Sequence, residues 1–175
     1  MDNLSILRIS EAHPKLRQLL KDTYIKANNK LDKGCRLRLT HVYRSPEEQD
    51  ALYAQGRTKK GAKVTNSKAW QSSHQYGFAI DIVIMYDNDG DGKFEVVSWD
   101  TKRDGDKDGV ADWLEVTKVF TEAGFTNGFI SNGKKWDLPH FQKTNYSCKD
   151  LYKMIQEGNY TEEVQNGKKI KYPNI

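Results

Sequence analysis

The sequence predicts an α+β fold, a small antiparallel sheet with helices packed around it. Three observations carry that prediction. Several stretches place apolar residues at helical spacing, residues 36–43 alternate apolar and polar, and Phe78 to Met85 is a nearly continuous apolar run. Glycines and prolines punctuate the intervals between them.

Taken in order, Leu16, Leu19, Leu20, Tyr24 and Ile25 predict a helix over residues 11–30, with Ser10 as its cap and Pro14 in its first turn. His13, beside that proline, is expected at the surface. Residues 36–43 predict a strand that leads into Arg44-Ser45-Pro46-Glu47-Glu48-Gln49. There Ser45 caps a helix, Pro46 takes its first position and Glu48 completes a capping box. That helix runs to about Ala54 and stops at Gly56. Residues 57–73 are polar and predict an exposed loop. The strand from Phe78 holds Asp81, whose charge is costly in a buried position unless it is paired or bound to metal. Val96 to Trp99 predicts a further strand, and residues 112–123 a helix ended by Gly124. Short strands follow at Gly128–Ile130 and Pro139–Gln142, then a helix over 148–157 ended by Gly158. The tail to Ile175 reads as a turn and an edge strand. His41 is divided between core and site lining and receives no role.

A chain of 175 residues, 37% hydrophobic and 30% charged, suits one domain over 1–175 with a heavily charged surface. No apolar stretch is long enough to span a membrane, and no basic-then-apolar leader opens the chain. The protein is therefore expected to be made in a cytoplasm and to leave by another route. Cys35 and Cys148 lie far apart and are expected as thiols. Net charge is +4, but residues 87–115 carry −6 and the remainder +10. A basic body suits an anionic polymer, whether nucleic acid or cell wall, and the acidic insert suits a cation. Charge alone supports nucleic acid, which is set aside.

Chemistry concentrates in Ser73-His74-Gln75-Tyr76-Gly77-Phe78-Ala79-Ile80-Asp81 and, far downstream, Trp136-Asp137-Leu138-Pro139-His140. His74, Asp81 and His140 supply two nitrogens and one oxygen, which leaves a tetrahedral Zn²⁺ one open position for water. Asp137 is then available to take a proton from that water. This set predicts a zinc hydrolase. In the acidic insert, residues 104–115 follow the EF-hand calcium loop position for position. The expected ligands are Asp104, Asp106, Asp108, the Val110 carbonyl, Asp112 and Glu115, with Gly109 at the turn. No helix enters this segment, so it is a calcium loop without the full two-helix unit. Asp87, Asp89 and Asp91 begin the pattern again, but its twelfth position is Ser98. They are marked as a second, weaker or shared calcium site.

These blocks resemble the LAS metallopeptidases, the lysostaphin, D-Ala-D-Ala carboxypeptidase and hedgehog group. The resemblance is greatest to the L-alanyl-D-glutamate endopeptidases of phage endolysins and bacterial autolysins. The family pattern Ser-x-His-x-x-Gly-x-Ala-x-Asp falls on Ser72, His74, Gly77, Ala79 and Asp81. An acid followed by Pro-His-Phe falls on Asp137 and Pro139-His140-Phe141. Tyr43-Arg44-Ser45, Gln49, Leu52-Tyr53 and Gly56-Arg57 complete the likeness over residues 10–158. It implies a hedgehog-like fold, zinc on His74, Asp81 and His140, Asp137 as general base, and Arg44 against the scissile carbonyl or a substrate carboxylate. The implied substrate is a peptidoglycan stem peptide at the bacterial wall, cut at L-Ala-D-Glu; separately, a monomer is expected, with the oligomeric state left open by the sequence. A D-Ala-D-Ala carboxypeptidase or dipeptidase, a non-catalytic calcium-dependent binding module, and a two-His-one-carboxylate iron oxygenase are the competing readings.

Overall fold

The computed structural model describes residues 2–131 and 134–175, with the side chains of 129–136 outside the description. Its first two helices are α1 (Asn3–Ser10) and α2 (Pro14–Asn28). The predicted helix therefore begins later than expected. Ser10 closes α1, and the cap of α2 is His13, whose ring accepts from the Lys15 amide. Pro14 in the first turn of α2 lacks an amide proton that the helix would leave unbonded in any case.

His13 also corrects the expectation of a surface histidine. It is 3% exposed, stacks on Phe78 with ring centroids 4.4 Å apart, and lies 3.0 Å from the Pro173 carbonyl through Nε2. Two distant segments close over a ring that adjacent residues alone would leave in solvent.

Strand β1 (Cys35–His41) leads to α3 (Pro46–Ala54), where the predicted Ser45–Glu48 capping box is present. A 3-10 turn at Ser73–Tyr76 precedes β2 (Ala79–Tyr86) and β3 (Val96–Ser98). Helix α4 (Asp112–Glu122) is followed by β4 (Thr126–Ser131) and β5 (Lys134–Gln142). Helix α5 (Cys148–Gln156) then precedes β6 (Tyr160–Gln165) and β7 (Lys168–Pro173). The tail is thus a two-stranded hairpin rather than one edge strand.

The main sheet runs β1-β2-β5-β4, all antiparallel, with β3 also on β2. One edge of β2 is shared: β5 pairs with Ala79–Asp81 and β3 with Ile84–Tyr86. Side chains alternate across a strand. Leu37, Leu39, Ile80, Ile82 and Ile84 therefore join Leu16, Leu20 and Tyr24 of α2, and Val116 and Phe120 of α4, in the buried core. Asp81 points to the other face. The α+β class predicted by the sequence is observed. Cys35 is a buried free thiol and Cys148 a partly buried one, as expected.

Candidate active site

The face away from α2 and α4 opens into a cleft of about 480 Å³, a size typical of ligand sites. His41, Arg44, Thr65, Ser67, Ser72, His74, Asp81, Asp137 and His140 are among its lining residues.

His74 is carried by the 3-10 turn, whose own capping box joins Ser72 and Gln75. Gly77 ends that turn at φ 73°, and a Cβ there would stand 2.5 Å from the His13 amide nitrogen. Only glycine permits this turn to sit against the start of α2. His74 Nδ1 lies 2.8 Å from the Val42 carbonyl. A carbonyl can only accept, so the proton sits on Nδ1 and the Nε2 lone pair faces the cleft.

Asp81 and His140 are register partners across the β2–β5 ladder. His140 Nε2 lies 3.2 Å from Gln142 Oε1, an acceptor, which directs its Nδ1 lone pair inward. Gln142 is itself held by the Ser73 hydroxyl at 3.2 Å.

Three ligand atoms therefore converge. His74 Nε2 and His140 Nδ1 are each 3.2 Å from Asp81 Oδ1, and 3.3 Å from one another. Zn²⁺ bonded tetrahedrally at about 2.0–2.1 Å spaces its ligand atoms about 3.3 Å apart. Inward lone pairs at that spacing fit zinc, with outer hydrogen bonds of the kind that orient metal-bound histidines. Burial raises the Asp81 carboxyl, and positive charge at the position of the two imidazoles outweighs it and pulls the carboxyl well below the usual carboxylate range; neutral ligand tautomers leave that role to a bound cation.

Arg44 reaches the second oxygen. Its Nη2 donates to Asp81 Oδ2 at 3.2 Å and its Nη1 to Gln49 Oε1 at 3.2 Å. Gln49, fully buried, also accepts from Gln75 and donates to Thr65 and Ser67. It links the arginine, the histidine-bearing turn and the wall of the cleft.

Asp137 enters the cleft from a break in β5. Between the Asn127–Phe141 and Phe129–Trp136 pairs the β4–β5 register shifts, so 137–140 bulge opposite Gly128. Asp137 adopts φ 56°, unusual for a residue with a side chain. Bulges of this kind re-aim side chains at sites. Asn127, buried, clamps it by donating to the Leu138 and His140 carbonyls at 2.7 and 3.1 Å. Burial, reinforced by the charge of Asp81, raises the Asp137 carboxyl, against opposing pulls from His140, His74 and Arg44.

All five residues expected in the hydrolytic site thus share one cleft. Gln142, Asn127 and the Val42 carbonyl were not singled out from sequence. Gln142 lies two residues after His140, and strand alternation was the available signal. His41 is exposed and lines the cleft opposite Asp81 in the β1–β2 register.

In the acidic insert, Asp104, Asp106 and Asp108 each offer an oxygen within 4.8 Å of the others, as do Asp106, Asp112 and Glu115. Asp112 is buried and accepts from Tyr86 Oη at 2.6 Å. Burial raises both Asp112 and Glu115, and the neighbouring acids add to it. Asp87, Asp89 and Asp91 form another such group, which Glu95 joins although it falls outside the loop pattern.

The cleft and its His/Asp/His group, which could hold a metal ion, suit the metallopeptidase class. A family model described as D-alanyl-D-alanine carboxypeptidase, of the M15 peptidases, matches residues 65–143. The peptidoglycan L-alanyl-D-glutamate endopeptidase CwlK of Bacillus subtilis (strain 168) is 38% identical over 134 residues, 76% of this chain and 74% of that protein. The chain belongs to the M15 peptidase family. The crystal structure of the Serratia marcescens L-Ala D-Glu endopeptidase ChiX aligns at 21% identity with a TM-score of 0.48, covering 82% of this chain and 89% of that one.

Proposed function

We propose that the protein hydrolyses peptidoglycan stem peptides at the L-Ala-D-Glu bond, with zinc held by His74, Asp81 and His140. The observation that carries this reading is the triangle of inward ligand atoms, 3.2–3.3 Å on a side, sharing its cleft with Asp137. The substrate assignment draws on the likeness to CwlK.

When bound, zinc supplies Lewis acidity, lowering the pKa of a coordinated water toward ~7 and polarising an amide carbonyl. Asp137 accepts the proton of the attacking water and returns it to the leaving amine, so that the amide C–N bond breaks with charge balanced. Arg44 holds Asp81 in place and presents further N–H groups toward the developing oxyanion. Val42 and Gln142 keep the two imidazoles in their ligand tautomers.

Digestion of purified peptidoglycan by the zinc-loaded protein, with mass analysis of the new termini, tests the assignment. New N-terminal D-Glu supports it. Release of D-Ala alone supports the carboxypeptidase reading, which the family description favours.

The insert is read as a calcium loop on Asp104, Asp106, Asp108, the Val110 carbonyl, Asp112 and Glu115. Supporting this, Asp104 Oδ1 and Glu115 Oε2 are buried with no hydrogen-bond donor among the described residues. A cation would offset that cost. The hydrogen bond from Tyr86 to Asp112 ties the loop to the end of β2, the strand that bears Asp81. Asp87, Asp89, Asp91 and Glu95 are a second, exposed candidate. Calcium outside the cell would then order the insert where the wall is met.

A further inference from the structure

One wall of the cleft carries a charge imbalance that the proposed hydrolysis does not use. Between Asp50 and Asp81 the chain has no acidic residue and five bases, Arg57, Lys59, Lys60, Lys63 and Lys68. Elsewhere acidic residues are interspersed with the bases and several pairs form, Arg8 with Glu11, Arg17 with Glu163, Arg38 with Asp2 and Lys169 with Glu162. Lys59, Lys60 and Lys63 are exposed, and none enters an ion pair among the described residues.

This arm is built rather than loose. Arg57 Nη1 donates to the Tyr53 and Thr65 carbonyls at 2.6 and 3.0 Å, and its Nη2 to Asn66 Oδ1 at 3.1 Å. Its guanidinium lies 3.9 Å over the Tyr53 ring. The Ala69 amide donates to Asp50 at 2.8 Å. Gly56 lets the backbone double back so closely that a Cβ there would stand 2.5 Å from the Lys63 nitrogen. Val64, Thr65, Asn66 and Ser67 line the cleft, and Lys59, Lys60 and Lys63 sit on the same doubled-back arm, Lys63 directly preceding Val64 and the Lys59 carbonyl accepting from the Gly56 amide at 2.8 Å.

Unpaired like charges on one short arm repel and add nothing to packing. Their field reaches about 8 Å at physiological salt and favours anions at the mouth of the cleft. We propose that the arm is a cationic guide for substrates with a free carboxylate beside the scissile bond, so that the enzyme discriminates against the amidated form. The inference rests on the L-alanyl-D-glutamate reading. A D-glutamate joined to the chain through one carboxyl keeps the other, and amidation removes its charge.

The test measures kcat and KM of the zinc-loaded enzyme on two soluble peptides containing the L-Ala-D-Glu bond, one with the glutamate carboxylate free and one with it as carboxamide. At low salt the acid is expected to be favoured about tenfold in kcat/KM, through KM, and the ratio to fall toward about twofold as salt screens the field. Lys59→Gln/Lys60→Gln/Lys63→Gln should bring the low-salt ratio down to the high-salt value. Lys21→Gln/Lys26→Gln/Lys118→Gln removes equal charge from α2 and α4, across the sheet, and should retain the preference. A guide is ruled out if the arm variant keeps the preference and its salt dependence, or if the remote variant loses both equally. Should the triple variant not fold, Lys60→Glu carries the same comparison. Cleavage at another bond, or of neither peptide, overturns the specificity reading and the guide with it. A salt-insensitive cut at the L-Ala-D-Glu bond overturns the guide alone.

Discussion

His140 and Gln142 lie two residues apart on β5, and the Nε2 of the first is 3.2 Å from the Oε1 of the second. Because the amide oxygen can only accept, the pair decides which imidazole nitrogen faces the cleft. Gln142→Leu should therefore weaken zinc binding by about 10–100-fold while leaving the fold intact. Competition against a chelator of known affinity reads this directly; unchanged affinity would show that the tautomer is set elsewhere.

Asp137 stands apart from the three convergent atoms and is not needed to complete them. Asp137→Asn should retain stoichiometric zinc and lower kcat by roughly 10²–10⁴-fold, the range for loss of a positioned proton acceptor. Metal analysis and turnover on the same sample separate the two effects. Near wild-type turnover would remove Asp137 from the mechanism.

Arg44 combines a structural bond to Asp81 with a place in the cleft. Arg44→Ala should cost about 10²–10³-fold in kcat. Arg44→Lys should recover little, since one ammonium cannot reproduce the two-sided contact with Asp81 and Gln49. Parallel zinc titrations show how much of the loss comes from a displaced Asp81.

His13 gives the fold a pH dependence away from the cleft. Burial lowers its pKa from 6.5, with the charges of Lys15 and Arg17 adding to the effect and the Pro173 carbonyl opposing it. Below 6.5 the unfolded chain takes up a proton that the folded one resists, so stability falls as pH drops from 6.5 toward the lower folded value. His13→Asn keeps a capping side chain but cannot titrate. It should be less stable than wild type by about 1 kcal/mol at pH 7, with the gap narrowing by pH 5. Denaturant melts across that range check the difference; a constant gap would mean that His13 takes up its proton equally in the folded and unfolded chain.

The acidic insert predicts a response to calcium. Added calcium should raise the melting temperature, by the equivalent of about 2.7 kcal/mol at a hundredfold excess over Kd. Glu115→Gln should lose most of that shift. If calcium-selective chelation changed neither melting temperature nor activity, the insert would be a solvated loop.

Much of this was legible along the chain. The Ser45–Glu48 capping box, the apolar strand through Asp81 and the helix from Asp112 rest on local spacing, and each is present. Helix α1 is not legible along the chain because it spans only eight residues and its Ile6 and Leu7 stay exposed. His13 was misplaced because its neighbours in sequence are polar, while the groups that bury it, Phe78 and Pro173, are 65 and 160 residues away.

The sequence by itself determined which side chains can do chemistry, and on which strands and turns they ride, because caps, periodicity and the cost of a buried carboxylate act within a few residues. Only the tertiary structure decided that Asp81 faces His140, that a bulge turns Asp137 into the cleft, and that Val42 and Gln142 select the imidazole tautomers. Those outcomes depend on strand register and on hydrogen-bond partners far apart in the chain, which are settled when both faces of the sheet find their cover.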